Sequence, residues 1–258
     1  MKMFFWGCLL GVGGLTASCS SDSSDLGKGT GIVSFELKAD PTFVASRAVD
    51  ESYYSDVKNY TVVITKDGKE FRTYDYPAMP SSMDLEVGSY HVQAYCGEDV
   101  AASTKGMYVV GDTDFTLTAE SPEATTVTVN CAPVCAKVKV NFAAEMAEYF
   151  SDYSVKMETS ALTTEGSTFI WTKDAADPVY LKVGQSEDVK MTISLTKKSD
   201  STQSTVEKTY TLSPKDAFTL NINPVVQDVT GNLGISITVD ESTNDKPIDI
   251  IVPSDWWN

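Results

Sequence analysis

Histidine is almost missing from this chain: 258 residues hold one, His91. That leaves no second imidazole for the usual His-rich zinc centres and a single candidate base for any Ser or Cys nucleophile. Arginine is nearly as scarce, with Arg47 and Arg72 the only two. Lysine and arginine together number 20 against 36 acids, a formal net charge of -16. So acidic a surface repels phosphate backbones, which excludes nucleic acid as a partner. No G-x-S-x-G or H-E-x-x-H motif occurs, and no catalytic triad is suggested by the sequence. A carboxylate pair for glycoside hydrolysis could be drawn from the 36 acids, but nothing in the sequence selects any two. Helical periodicity is also lacking. Only 143–150 (AAEMAEYF) reads as helix, about two turns, too short to organise a domain. The chain is expected to be no enzyme and to carry no metal and no cofactor.

What is present starts with Lys2 and an apolar run from Met3 to Leu15. The run is broken by Gly7, Gly11, Gly13 and Gly14 and falls short of the roughly 20 apolar residues a membrane helix needs. A short apolar run behind a positive start, closing on small residues, is a secretory signal. Its end, Leu15-Thr16-Ala17-Ser18-Cys19, resembles the bacterial lipobox, with Thr16 where Leu is usual. The resemblance implies removal of 1–18 and lipidation of Cys19. Each buried acyl CH₂ contributes about 0.8 kcal/mol, so several chains on one residue hold a protein to a membrane durably. Residues 19–30 are polar and small, which predicts a flexible tether. Asp22 and Asp25 resemble the acidic export signal of Bacteroidota lipoproteins. The location expected is the outer membrane, lipid-anchored and facing outward.

Five cysteines occur. Cys8 would leave with the signal and Cys19 take the lipid. Cys96, Cys131 and Cys135 remain, an odd number for an exported chain. One disulfide with a spare thiol, Cys96 with Cys131 or Cys135, is one reading; three small buried hydrophobes is the other. A metal centre on these three lacks a fourth ligand.

The body reads as strand after strand. In 31–38, Val33, Phe35 and Leu37 share a face; in 57–65, Tyr60, Val62 and Ile64 do. Asp67-Gly68 supplies the positive φ angles of a tight hairpin into 70–76. Gly88 turns the chain from a short strand around Met83 and Leu85 into the alternating 89–95, which carries His91 on its polar face. Further strands are expected at 105–110, 114–118 and 124–131, with Gly111-Asp112 and Ser121-Pro122 as turns. From Cys135 a second series follows: 136–142, 154–159, 168–172, 178–183, 188–196, 206–212, 218–222, 233–239 and 248–252. Short strands broken by Gly, Pro, Asp and Ser predict an all-β chain of two tandem antiparallel β-sandwich domains, 31–134 and 135–258.

The order of motifs carries a resemblance: lipobox, tether, strand, Val57-Lys58-Asn59-Tyr60-Thr61-Val62-Val63-Ile64, the Lys-Asp-Gly hairpin, Val87-Gly88-Ser89-Tyr90, Val127-Thr128-Val129-Asn130-Cys131, Ala136-Lys137-Val138-Lys139-Val140 and the closing Asp255-Trp256-Trp257. It is similar to Bacteroidota lipoproteins close to the fimbrillin superfamily. The resemblance implies transthyretin-like sandwiches and a structural or adhesive surface role, in contact with other fimbrial subunits or with surface glycans or proteins. It further implies a processing point. Polymerising fimbrillins are cut after an Arg in the loop following the first strand, and Arg47, before Ala48, occupies that place. Trp256 and Trp257 read first as a plug over the second sandwich, since Trp contributes much apolar area; the alternatives are the anchors of a C-terminal donor strand, which the resemblance implies, and a sugar-stacking platform.

The competing reading is a glycan-binding lipoprotein of a carbohydrate uptake system. It needs exposed aromatics, for which Tyr53-Tyr54, Tyr74 with Tyr76, and Trp256-Trp257 are candidates. Asp240-Glu241 with Asp245 lacks the ligand spacing of a calcium loop and reads as a solvated turn.

Overall fold

Alternating apolar residues make strands where one face can be buried, and the sequence offers little else. The computed structural model describes residues 29–43, 52–118, 124–174, 177–226 and 233–240. The strands are β1 (Thr30–Ala39), β2 (Thr61–Lys66), β3 (Lys69–Asp75), β4 (Ser82–Glu86), β5 (Gly88–Cys96), β6 (Ala102–Ser103), β7 (Val109–Leu117) and β8 (Thr125–Pro133). After Val134 come β9 (Cys135–Phe142), β10 (Phe150–Glu158), β11 (Phe169–Thr172), β12 (Val179–Lys182), β13 (Glu187–Lys197), β14 (Gln203–Leu212), β15 (Ala217–Val226) and β16 (Leu233–Asp240). The fold is an all-β sandwich architecture, as expected.

The first unit is one continuous sheet, β3-β2-β5-β7-β8-β1-β4, folded over on itself. The fold line is β8. Its length pairs with β1, while only Ala132 and Pro133 reach β7. Val33, Leu85 and Val127 from one half then meet Ile64, Val92 and Leu117 from the other in a single buried cluster. Val87 alone separates β4 from β5, so the chain crosses between the halves in one residue. In the second unit a four-stranded sheet, β11-β10-β13-β14, faces a five-stranded one, β16-β15-β9-β12-β6. Trp171, Val155 and Ile193 pack against Val138, Leu220 and Ile237 between them.

Several local expectations meet a different outcome. Gly111-Asp112 is no turn: both residues lie inside β7. A Cβ at Gly111 would collide with the Asn130 carbonyl oxygen, so glycine is there for the approach of β8. The strand expected from residue 105 starts at Val109. Residues Val57–Asn59 form a 3-10 turn instead of extending the next strand, because the Asp56 side chain accepts from the Lys58 N–H at 3.0 Å. The helix expected over 143–150 shrinks to Met146–Tyr149, and Phe150 already opens β10. Two pairs are parallel, β1 with β8 and β15 with β9, a choice that alternation cannot encode. The Asp67-Gly68 hairpin stands, with φ of 51° and 75°.

Candidate functional site

The two units interlock. The strict alternation of β9 predicts a solvated Lys137, yet its side chain is buried, as is Tyr180 on the neighbouring β12. The reason is the segment that follows β1. Phe43 lays its ring 5.8 Å from that of Tyr180, and the Lys137 ammonium sits 5.9 Å above Phe43. Tyr180 belongs to the first unit's core cluster and Ala101 to the second's. Salt bridges at 2.5 Å, Lys215 with Asp40 and Lys182 with Asp99, cross the same seam. The hydrogen bond from Lys215, and then that from Thr42, hold the Asp40 carboxyl below its ordinary range. Strand β6 completes the bond: it hydrogen-bonds to β12 as the outermost member of the second unit's sheet.

Beside this seam lies an open cleft of about 400 Å³. Three segments far apart in sequence line it. Tyr53 and Tyr54 come from the one-turn helix Ser52–Ser55, residues 104–106 from the connection between β6 and β7, and Pro178 and Tyr180 from the start of β12. The Tyr53 and Tyr54 rings meet edge to face, 5.2 Å apart at 85°. Tyr53 is 56% exposed. Tyr54 is half-buried, which pushes its phenol pKa up, against a backbone hydrogen bond from Met107 that pulls it down. A Cβ at Gly106 would strike the Tyr54 hydroxyl, so this glycine makes room for the phenol. The Ser103 Oγ accepts the Lys105 and Gly106 N–H groups at 3.2 and 3.3 Å and shapes the loop. The Tyr60 hydroxyl donates to the Tyr54 carbonyl at 2.8 Å and ties the helix to the core.

Close behind, Cys96, Cys131 and Cys135 are free and buried. Burial raises the thiols of Cys131 and Cys135 to about 12, the reverse of what a nucleophilic cysteine requires. Cys131 donates weakly to the Ala94 carbonyl at 3.5 Å.

The other candidates are dispersed. His91 lies on β5 opposite Asp114 of β7 and bonds it through Nδ1 at 2.8 Å, at the surface. Tyr74 and Tyr76 pack against the first core, and the Tyr74 hydroxyl points at the Met83 sulfur, 3.5 Å away. Among the described residues no group of three or more His, Cys, Asp and Glu side chains could hold a metal ion, and no helix is long and apolar enough to cross a membrane. Cys19, Arg47, Ala48, Glu241, Asp245, the expected strand 248–252, Trp256 and Trp257 lie outside the described residues, as does the Asp240 side chain. Sequence reasoning singled out Tyr53 and Tyr54 but missed Thr104, Lys105, Pro178 and Tyr180, since nothing local marks residues that meet only through the seam.

A family model described as a domain of unknown function (DUF4493) matches residues 29–254. No curated protein matches. Among solved structures, a candidate adhesin from Bacteroides ovatus is 11% identical with a TM-score of 0.46, covering 92% of this chain and 99% of its own. A candidate polysaccharide-binding protein from Bacteroides thetaiotaomicron is 13% identical, TM-score 0.45, covering 85% and 98%. The fimbrial anchor protein Mfa2 from Porphyromonas gingivalis is 8% identical, TM-score 0.45, covering 84% and 99%.

Proposed function

We propose, from the premise that this chain belongs to the DUF4493 family of domains of unknown function, that it is a lipid-anchored protein of the cell surface with a structural or adhesive role and no catalytic one. The observation that carries this reading is how β1 is held. It is the first strand after the tether, so any pull between membrane and body enters through it. It pairs with β4 from Thr30 to Ser34 and with β8 from Val33 to Ala39, and the Asp40 N–H prolongs the second ladder onto Cys131. A pull along the strand loads these hydrogen bonds together rather than one by one. Beyond them, Asp40 and Phe43 pass the load to the second unit. A strand gripped on both sides and fastened at its end suits a tension-bearing anchor.

The absence of catalysis in this reading is supported by chemistry already described. The only imidazole is engaged by Asp114 at the surface, and burial keeps Cys131 and Cys135 as neutral thiols.

The test is made on native protein taken from the surface of its own cells. Its N-terminal residue is identified by mass and its unboiled form run on a denaturing gel. An acylated Cys19 and a single band are expected. A chain starting at Ala48 with a ladder of higher bands would replace the standing anchor by a fimbrial subunit processed after Arg47.

A further inference from the structure

We infer that the cleft at the seam binds a sugar residue bearing a carboxylate, a hexuronate unit of a polysaccharide. Tyr53 offers the first reason. An aromatic ring more than half exposed yet fixed edge-on against Tyr54 is preorganised, so a ligand stacking on it freezes little new freedom. Its open face is electron-rich and suits the C–H face of a pyranose. Charge offers the second. In a chain of 36 acids and 20 bases, lysines such as Lys66, Lys182, Lys190 and Lys215 each hold a carboxylate. Lys105 is exposed at the cleft, and among the described residues it is in no ion pair and no acid lines the cleft with it. A ligand carboxylate would supply the missing partner through a charge-assisted hydrogen bond. Thr104 adds a hydroxyl for ring oxygens, and the volume of about 400 Å³ falls among small-ligand sites, about 300–1,000 Å³.

The site does not depend on how the chain is anchored, and its test is separate from the one above. The whole mature chain is titrated by calorimetry with an oligogalacturonate, a hyaluronan oligosaccharide and a neutral galactan oligosaccharide. At least one hexuronate chain is expected to bind, and the neutral one about tenfold more weakly, the equivalent of about 1.4 kcal/mol. Lys105→Gln should erase that preference and leave neutral binding unchanged. Tyr53→Ala should abolish binding of all three. Both side chains are exposed, so the melting temperature serves as the folding control. Three results would overturn the inference: no binding by either hexuronate chain, binding indifferent to both substitutions, or self-association on ultracentrifugation that Tyr53→Ala abolishes. The last would make the cleft a contact between copies of this chain.

Discussion

Gly97, directly after β5, answers two demands at once. Its φ is +93°, and a Cβ there would run into the Met107 carbonyl oxygen. Gly97→Ala combines left-handed strain with overpacking against backbone, and we expect a loss of about 3 kcal/mol in urea denaturation. A change below about 0.5 kcal/mol, the range of a neutral surface substitution, would contradict the geometry. The buried thiols make a second prediction at this scale. Cys131 and Cys135 titrate near 12 in the fold, whereas an unfolded thiol titrates at about 8.5. The unfolded chain therefore releases these protons first as pH rises. Their contribution is fully present below about pH 8.5 and declines from there toward pH 12. The urea midpoint should fall across that window, and fall less in the double variant Cys131→Ala with Cys135→Ala. Native protein should also resist thiol alkylation at neutral pH until unfolded.

At the scale of elements, local chemistry and distant contacts divide the outcome. Tyr60, Val62 and Ile64 alternate in sequence and are all buried; Val138 and Val140 behave alike. The Asp67-Gly68 hairpin was legible because a two-residue turn is a local event. Gly111 was misread because a glycine beside Asp has the same local signature whether it bends the chain or admits another backbone. The burial of Lys137 is not legible locally, because alternation speaks only for the face of a strand turned to its own core. The segment responsible for that cover, Asp40 to Phe43, yields a prediction of its own. Phe43→Ala removes a ring buried between the units, and such truncations cost about 3–5 kcal/mol. Because the ring bridges two cores, calorimetry should show one melting transition separating into two. A single sharp transition would mean that Phe43 does not couple the units.

For the whole molecule, β1 and its trailing segment are the part whose removal reorganises most. It carries Val33 and Leu37 into the first core, joins β4 to the rest of the sheet, and fastens the second unit through Asp40 and Phe43. A chain starting at Ala48, as cleavage after Arg47 would produce, should melt lower and bind a hydrophobic dye. A peptide spanning Thr30 to Phe43 should reverse both effects by strand addition. An unchanged melting temperature in the shortened chain would show that β1 is dispensable. Acid should loosen the seam more gently. Lys215 depresses the Asp40 pKa, so that tie is kept above the carboxyl's unfolded pKa, about 3.9, and is lost as pH falls through the lower folded value.

Sequence by itself determined the all-β class, the inward residues of most strands and the hairpin turn, because each depends on alternation or on φ preferences within a few residues. It also carried the lipobox resemblance at Cys19, a pattern written in consecutive positions. Tertiary structure alone decided the parallel pairings, the fold line at β8, the burial of Lys137 and the cleft. Strand neighbours in a sheet are selected by which apolar faces can be closed together, and that selection joins residues such as Tyr53, Lys105 and Pro178 that no local rule connects. The cleft exists only once β6 has paired with β12 and Phe43 has packed on Tyr180, which is why its residues other than Tyr53 and Tyr54 carry no mark in the chain.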